Sequence, residues 1–334
     1  MNVSLKTIAQ EAGVSIGTVS RVMRGDDAFA AETIEKVQRI ANEMGYRPNR
    51  LVASIQAGKT QTIGVMVPPE GMFFGRVLAG IHAKLAHNDY IPLHLWATPE
   101  LPEREQIHRL LDRRVDGMIL FASDHTAPDP FIEEVWRRNI PAVSVDRLIE
   151  GSPADFVGTD DKLGGELAAK HLLDLGHRNV MHLAARPDIS TSHGRWQGFK
   201  KIIGARRGAQ TAYAVAEDFY SGYELAMEFL SQPDRPTAVF AGNDYLAVDT
   251  LRAARDLGID VPTQLSVVGF SDLPIAENSV PPLTTLRQEP DLIGQAAAQV
   301  VLDRIYGKLK SKSPHIITLQ PTLIDRESTG PVPI

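Results

Sequence analysis

The sequence predicts an α/β protein in which a small unit of three helices precedes two doubly wound lobes, each built on a parallel sheet. Three observations predict this fold class. Residues 1–50 contain three short runs with apolar residues at helical spacing. From Thr62 onward, apolar and β-branched runs alternate with amphipathic segments of helical length. A second series of the same kind starts near Phe156, so two such units follow one another.

The composition suits a chain of several domains. The 334 residues are 43% hydrophobic and 23% charged and include no cysteine, which excludes disulfides and thiolate chemistry. No signal-peptide pattern and no apolar run of about 18 residues is present, so we expect a soluble, cytoplasmic protein without a membrane partner. The formal net charge is -6, yet residues 1–60 hold eight Lys and Arg against six Asp and Glu. The basic excess is therefore local and amino-terminal.

The first fifty residues read as three helices. Ser4 and Ser15 stand at the N-cap positions of the first two, and Gly13 ends the first helix. The third helix is predicted from about Ala31 to Met44, with Gly45 as its left-handed terminator. The predicted core residues of this unit are Ile8, Ala9, Ala12, Val19, Val22, Ile34, Val37, Ala41 and Met44.

The two lobes are predicted from their strand and helix patterns. The predicted strands of the first lobe are TIGVMV, IPLHL, GMILFA and PAVSV, and its helices cover residues 74–88, 102–114 and 129–138. The second lobe has NVMHLAA, TAVFAG and LSVVGF as strands and residues 161–175, 194–203, 221–231 and 243–257 as helices. We expect the last helix, 290–306, and the strand at 315–319 to return to the first lobe.

A domain boundary is predicted after Tyr46, because the residue before Pro48 is pushed out of the helical region. Residues 50–57 are long enough for two helical turns only, and such a helix is marginal in water without a partner. The predicted domains are a helix-turn-helix unit at 1–47, a hinge at 48–60, a first lobe at 61–161 with 292–320, and a second lobe at 162–291 with 321–334.

The pattern at residues 5–25 is that of a helix-turn-helix. In this motif the second helix enters the major groove of DNA, and its first residues meet base edges. We predict Ile16, Gly17 and Arg21 as base contacts, since arginine donates two hydrogen bonds to guanine. Further candidate DNA contacts, mainly to phosphates, are Thr7, Ser15, Thr18, Ser20 and Asn49. The alternative is a plain packing module of short amphipathic helices, and spacing alone does not decide between the two.

Residues 13–17, GVSIG, also match the G-x-S-x-G pattern of serine hydrolases. A nucleophile elbow needs a strand before the serine and a helix after it. Here the preceding residues are helical and no strand is predicted in the first sixty positions. Ser15 is therefore interpreted as a helix cap.

A more specific signal than helix-turn-helix spacing is the string AGVSxxTVSRV, followed by GYRPN and TIGVMVP. Further strings are DxxGGxLAAxHLLxLGH, RPTAVFAGND, LSVVGFSD, PPLTTLRQ and RES. Together they resemble the lactose and purine repressor family of bacterial transcription regulators along the whole chain. The resemblance implies a helix-turn-helix DNA-binding domain followed by two lobes of the periplasmic-binding-protein type.

The resemblance also implies that residues 50–57 fold into a hinge helix on operator binding and insert an apolar side chain into the minor groove. Ile55 matches the inserting position, where the family has leucine. The alternative is that Ile55 is an apolar linker residue packed on the core domain.

Polar and aromatic residues follow the predicted strands of both lobes, where parallel sheets bind ligands. Carboxylate, guanidinium and amide groups beside aromatic rings suit a polyhydroxylated ligand. Taken singly, most of these residues fit a turn, a helix cap or a solvated surface equally well, and the resemblance favours effector contacts. The candidate effector-binding residues are Phe73, Phe74, Ser123, Asp146, Arg147, Asp160, Arg195, Phe219, Asn243, Ser271 and Gln288. At Ser271 the family usually has aspartate.

The resemblance implies a homodimeric repressor that binds a near-palindromic operator and responds to a small effector, with a sugar or sugar derivative expected. The alternatives are control by a purine or nucleoside, control by a protein partner, and a sugar-binding protein or an enzyme without a DNA role. We expect no enzyme activity and no cofactor, because no Gly-rich phosphate loop or nucleophile follows a strand. We expect no metal either, since His82, His87, His171 and His177 lack ligand spacing. The end, RESTGPVPI, lacks a leucine heptad, which favours a dimer over a tetramer.

Overall fold

The computed structural model describes residues 3–47, 58–67, 71–96, 98, 100–121, 134–135, 137–148, 151–311 and 313–333, without the side chains of residues 67 and 96. The chain divides into two compact units, Met1–Thr60 and Gln61–Ile334. The predicted residues Asn49, Ile55 and Ser123 lie outside the described residues, as does most of the helix predicted at 129–138.

The helices are α1 Leu5–Ala12, α2 Ile16–Val22, α3 Ala31–Glu43, α4 Met72–Ala86, α5 Glu103–Asp112, α6 Asp161–Asp174, α7 Ser190–Gly204, α8 Tyr223–Leu230, α9 Asp244–Asp256, α10 Pro274–Glu277 and α11 Pro290–Ile305. The strands are β1 Thr62–Val67, β2 Ile91–Trp96, β3 Gly117–Leu120, β4 Ala142–Val145, β5 Asp155–Thr159, β6 Asn179–Ala185, β7 Gln210–Ala216, β8 Ala238–Ala241, β9 Ser266–Ser271, β10 Thr284–Arg287, β11 Ile316–Leu319 and β12 Thr322–Ile324.

The first unit is a three-helix bundle with the predicted caps. Ser4 Oγ accepts from the backbone N–H of Thr7, and Ser15 Oγ accepts from that of Thr18. Gly13 has φ +65°, a left-handed conformation that favours glycine. These observations confirm the predicted helix starts and the turn between α1 and α2. The buried core is Ile8, Ala9, Ala12, Val19, Val22, Val37, Ile40 and Ala41.

The second unit contains two sheets. In the first, the strand order is β11-β5-β4-β3-β1-β2, and its pairings are all parallel within the described residues. Helices α4 and α11 cover one face through Val77, Ile81 and Val301, and α5 covers the other through Leu110. A parallel sheet covered on both faces needs apolar side chains on both sides of each strand. This explains the continuous apolar runs in the sequence.

The second sheet has the order β12-β10-β9-β8-β6-β7. Its pairings are parallel except for β12, which runs antiparallel to β10. Helices α8 and α9 pack on one face, with Phe229 and Leu251 in the core. Helices α6 and α7 pack on the other, with Leu172 and Phe199. Both sheets are therefore doubly wound, as predicted.

The chain returns to the first sheet after completing most of the second. Helix α11 follows β10 but packs on α4, where Gly294 approaches the carbonyl of Val77 so closely that a Cβ would lie 2.0 Å from it. Strand β11 then pairs with β5 in register from Ile316 opposite Phe156. The chain crosses back once more, because β12 pairs with β10.

Some elements differ from the prediction. Helix α7 begins at Ser190, four residues before the predicted Gly194, so the loop before it is shorter than expected. Strands β7, β10 and β12 and helix α10 lie where no element is predicted. Strand β7 is an edge strand whose residues are mostly half-buried or exposed, while β10 and β12 are short and contain threonine. None of them forms the continuous apolar run that marks a central parallel strand.

Candidate DNA-reading helix and ligand pocket

Helix α2 presents a polar, basic surface opposite its core residues. Val19 and Val22 are buried, whereas Ile16, Gly17 and Arg21 are exposed. Ile16 leaves 49% of its surface in solvent although it is an apolar β-branched residue. The first turn of α2 and Arg21 one turn later are therefore accessible, as a helix that reads a major groove requires.

Three of the predicted phosphate contacts, Thr7, Ser15 and Thr18, lie at the beginnings of the first two helices. The Ser15 and Thr18 hydroxyls are 2.9 Å apart, and so are those of Ser4 and Thr7. Each hydroxyl pair lies at the start of a helix, a position that favours anions. Ser20 is half-buried on α2.

The second unit has a pocket whose walls come from the carboxyl ends of strands in both sheets. Its cavity volume is about 110 Å³, and the cavity opens to solvent. It brings together these predicted effector-binding residues: Phe73, Phe74, Asp146, Arg147, Arg195, Phe219, Asn243, Ser271 and Gln288. Also lining it are Gly71, Met72, Ile189, Thr191, Tyr220, Tyr245 and Leu273.

Asp160 is not among the residues that line this pocket. Its side chain caps α6 by accepting from the backbone N–H of Leu163 at 2.9 Å. Capping is the common role of aspartate between a strand and a helix. Asn243 combines both roles, since it lines the pocket while Oδ1 accepts from Leu246 N and Nδ2 donates to the Phe219 carbonyl.

Arg195 is held rigidly at the pocket wall. Its Nε donates to Asp161 Oδ1 at 2.8 Å, its Nη1 donates to the Gly242 carbonyl at 2.6 Å, and its guanidinium carbon lies 3.7 Å from the centroid of the Phe270 ring. Both members of the ion pair are buried. Burial raises the pKa of Asp161 to about 7, and the guanidinium of Arg195 opposes this rise. Arg195 thus enters the pocket with its orientation already set.

A close helix crossing brings this pair together. A Cβ on Gly165 of α6 would lie 2.0 Å from the Arg195 carbonyl oxygen, and one on Gly198 of α7 would lie 1.9 Å from the Lys162 carbonyl oxygen. The two helices therefore touch through their backbones, which only glycine permits. Asp161 begins α6 and Arg195 lies in α7, so this contact places the carboxylate against the guanidinium.

Asp146 directly follows β4 and has a left-handed conformation, with φ +65°. A non-glycine residue in this region is strained, and such residues cluster at functional sites. Burial raises the pKa of the Asp146 carboxyl, while Arg147 and Arg195 lower it. The guanidinium of Arg147 lies 6.0 Å from the centroid of the Phe219 ring. The pocket therefore presents acceptor and donor groups beside an aromatic face.

A chain of hydrogen bonds joins the two sheets beside the pocket. The Ser271 hydroxyl donates to Gln288 Oε1 at 2.9 Å, and Gln288 Nε2 donates to Thr159 Oγ1 at 2.8 Å. Ser271 ends β9 of the second sheet, whereas Thr159 ends β5 of the first. Ser271, where the resembled family has aspartate, thus binds a neighbouring side chain and lines the pocket.

Sequence reasoning missed Asp244, a buried residue that binds the backbone of the pocket residue Leu273. Asp244 is fully buried, and its carboxylate accepts from the Leu273 backbone N–H at 2.7 Å and from the Thr285 hydroxyl at 2.6 Å. Burial raises its pKa to about 6. Its place directly after Asn243, at the start of α9, is the one signal that sequence offers. Tyr220 and Tyr245 also lie within two residues of predicted contacts, and Ile189 and Thr191 were missed because α7 begins early.

Within the described residues, no group of three or more His, Asp or Glu side chains is arranged to hold a metal. In the same part of the chain, no helix combines the length and apolar character needed to cross a membrane.

Comparison with known proteins decides the family. Residues 4–49 match the model of bacterial regulatory proteins of the lacI family, and residues 169–329 match a periplasmic binding protein-like domain. The ribose operon repressor of Haemophilus influenzae is 31% identical over 330 residues, which is 97% of this chain and 98% of that protein. The chain belongs to the lacI family of bacterial regulatory proteins. A lacI-family chain of this kind is a DNA-binding transcriptional repressor rather than an enzyme.

Further relatives have the same architecture. The transcriptional repressor PurR of Serratia proteamaculans is 32% identical over 337 residues, 99% of this chain and 98% of its own. The structure of the lac repressor dimer bound to operator and the anti-inducer ONPF matches with a TM-score of 0.87 and 28% identity, over 99% of this chain and 100% of that one. A lacI-family regulator from Enterococcus faecium with bound ribose matches with a TM-score of 0.71 and 29% identity, over 81% of this chain and 99% of its own. This lacI-family chain therefore has the predicted helix-turn-helix and periplasmic-binding-protein type lobes.

Proposed function

We propose that this repressor acts in the cytoplasm as a homodimer, binds a near-palindromic operator through α2, and is controlled by a sugar bound between its two sheets. The observation that supports this proposal is the pocket at the carboxyl ends of the strands of both sheets, where aromatic rings lie beside Asp146, Arg147, Arg195 and Asn243. Residues 1–47 are proposed as the DNA-binding domain and 48–60 as the hinge that contains Ile55. The lobes are proposed at 61–161 with 292–320 and at 162–291 with 321–334.

The charges in the pocket favour a neutral ligand rich in hydroxyl groups. Arg147 and Arg195 line the pocket together with Asp146, and both guanidinium groups lower the pKa of the Asp146 carboxyl. Arg195 is also paired with Asp161, which does not line the pocket. An anionic ligand would compete with Asp146 for the guanidinium groups, whereas a sugar hydroxyl donates to the carboxylate and accepts from a guanidinium. The rings of Phe73, Phe74 and Phe219 can cover the apolar face of such a ligand. Two relatives support this choice, a repressor of a ribose operon and a regulator with bound ribose.

A purine or nucleoside is the second candidate. PurR relatives at 32% identity over 99% of the chain support it, and the tyrosines Tyr220 and Tyr245 supply further rings in the pocket. The charged groups argue against it, because a planar base has fewer hydroxyl partners for Asp146 and Arg147 than a pentose or hexose has.

The test is a thermal unfolding screen of the full chain with neutral sugars, sugar acids, sugar phosphates and nucleobases. A ligand that binds only the folded state raises the free energy of unfolding by about 2.7 kcal/mol at a hundred times its Kd. We expect a neutral pentose, hexose or disaccharide to raise the melting temperature. Asp146→Asn should abolish the shift, while Asp188→Asn, a carboxylate paired with Arg186 and not lining the pocket, should leave it unchanged.

A shift with nucleobases and none with sugars would replace the sugar by a purine and keep the pocket. An equal response in the Asp146→Asn variant would overturn the assignment of the pocket itself. DNA binding is tested separately, by selecting duplexes from a random pool and asking whether the enriched sequence is near-palindromic. Operator control then requires that the same sugar change the affinity for the selected duplex, with typical coupling of about 1–3 kcal/mol.

A further inference from the structure

The guanidinium of Arg21 is held from two directions by the segment that follows α2. Its Nε donates to Asp26 Oδ2 at 2.6 Å, and its guanidinium carbon lies 4.9 Å from the centroid of the Phe29 ring. The backbone closes the same loop, because the N–H of Asp26 donates to the carbonyl of Arg21 at 3.1 Å. Arg21 is therefore fixed in its plane by a carboxylate and across its face by a ring.

Asp26 is itself fixed. Its second carboxylate oxygen, Oδ1, accepts from the backbone N–H of Ala28 at 3.0 Å. The hydrogen bonds from Arg21 and Ala28 lower the pKa of Asp26, so its carboxylate stays ionised at neutral pH. The group that holds Arg21 is thus a charged carboxylate with both oxygens engaged.

The contact leaves one edge of the guanidinium available. Asp26 accepts from Nε, and in the described part of the chain neither Nη nitrogen of Arg21 donates a hydrogen bond. A guanidinium binds guanine through two parallel N–H groups, either at the Nε side or at the end formed by both Nη nitrogens. With the Nε side occupied, the end formed by the two Nη nitrogens is the edge left for a base, and half of the side chain is exposed.

We propose that Asp26 and Phe29 are positioning residues that hold Arg21 for end-on recognition of a guanine in the major groove. This inference rests on the proposed DNA-binding function. Asp26 adds a negative charge close to the DNA-reading surface, which weakens binding to every duplex. Asp26 increases specificity, because an arginine already held in one orientation loses less side-chain freedom when it binds its base.

The opposite reading is that Asp26 competes with the base and keeps Arg21 inactive. The two readings differ in sign. A positioning carboxylate increases the preference for the guanine, so its loss lowers the ratio between the affinity for the preferred duplex and that for a duplex lacking the guanine. A competing carboxylate decreases this preference, so its loss raises the ratio.

The test uses the full-length protein and the duplex that wild type enriches from a random pool. The base pair read by Arg21 is the one whose replacement by A·T weakens wild type but leaves Arg21→Ala unaffected. For each variant, fluorescence anisotropy gives the Kd for the enriched duplex and for the duplex with that one replacement. The readout is the Kd for the replaced duplex divided by the Kd for the enriched duplex. We expect Asp26→Asn to lower this ratio roughly three- to tenfold, as expected when one long side chain must be ordered on binding.

Asp27→Asn is the matched control. It removes the same charge one residue away, from an exposed side chain that makes no hydrogen bond or ion pair with Arg21 in the structure. Both variants should bind all duplexes more tightly by a similar factor, but Asp27→Asn should leave the ratio unchanged. In an Arg21→Ala background, Asp26→Asn should no longer change the ratio, because it acts through Arg21.

Three results would overturn the inference: an equal ratio in the Asp26→Asn and Asp27→Asn variants, a higher ratio in Asp26→Asn than in wild type, or a fall in the ratio that persists without Arg21. If wild type enriches no duplex at all, the proposed DNA-binding function fails first, and the inference fails with it. Circular dichroism of each variant shows whether the three-helix unit is still folded.

Discussion

Alanine at position 198 should push α6 and α7 apart and disturb the ligand pocket. The new Cβ would lie 1.9 Å from the Lys162 carbonyl oxygen and 3.0 Å from the Glu166 backbone nitrogen, and neither backbone atom can rotate away. A normal contact needs more than 3 Å, so the helices must separate by about 1 Å or more. Because these helices carry Asp161 and Arg195, their 2.8 Å hydrogen bond is lost with the movement.

The size of the effect follows from two opposing contributions. Overpacking of a tight contact costs about 1–3 kcal/mol, and breaking a buried ion pair adds to this cost. Replacing glycine by alanine inside a helix returns up to about 1 kcal/mol. The net free energy of unfolding should therefore fall by about 1–3 kcal/mol. For a unit of this size the melting temperature should fall by about 2–4 °C per kcal/mol.

The matched control lies in the same helix. At Gly204, near the end of α7, an added Cβ meets nothing within 4 Å, so Gly204→Ala should be neutral or slightly stabilising. Thermal unfolding followed by circular dichroism compares the two variants, and the sugar-induced shift is measured on each. If Gly198→Ala is as stable as Gly204→Ala and responds equally to ligand, then the close backbone contact does not exist and Arg195 is not positioned by it.

Three further predictions concern the groups that join distant segments. Gln288→Leu removes the bridge between Ser271 and Thr159. Calorimetry should then show a two- to tenfold loss of sugar affinity, which corresponds to the free energy of about one hydrogen bond. Unchanged affinity would contradict a role of the bridge in ligand binding. Arg21→Ala should relax the sequence preference in binding assays more than it weakens non-specific binding, and a uniform loss of affinity on all duplexes would refute base reading by Arg21. The operator affinity of wild type should fall steeply as the salt concentration rises. Burial raises the pKa of Asp244 to about 6 from its usual 3.8. Between these two pH values the folded state keeps a proton on Asp244 that the unfolded state has released. The free energy of unfolding that this group contributes therefore falls as the pH rises from about 4 to 6. Denaturant unfolding at several pH values should show a shallower fall over that window in Asp244→Asn, and an identical slope would show that Asp244 does not titrate there.

Much of the molecule follows from local pattern. The caps at Ser4 and Ser15 and the exposed face of α2 depend on residues within one or two turns, and the spacing of apolar residues shows them directly. The strands of the first sheet appear as apolar runs because both faces of the sheet are covered. Residues at the strand ends, such as Asp146 and Ser271, became candidates because parallel strands end at one edge of a sheet, and the family resemblance then favoured them as effector contacts.

Local pattern did not distinguish between residues that carry the same chemistry. Asp160 and Asp146 both follow strands, yet Asp160 caps α6 and only Asp146 lines the pocket. Asp26 looks like a solvated charge in a polar loop, and its contact with Arg21 five residues earlier requires the specific turn after α2.

The amino-acid sequence by itself determined the alternation of apolar strands with helices and the exposed DNA-reading face of α2, because spacing is a property of neighbouring residues. Strand ends and the family resemblance together indicated the predicted residues around the pocket. Tertiary structure alone decided which groups meet. Asp161 and Arg195 are 34 residues apart and touch because two glycines let α6 and α7 approach. Gln288 meets Thr159 across 129 residues because the chain crosses between the sheets. Such contacts depend on how whole helices and sheets pack, and local residue spacing does not encode contacts between residues so far apart in the sequence.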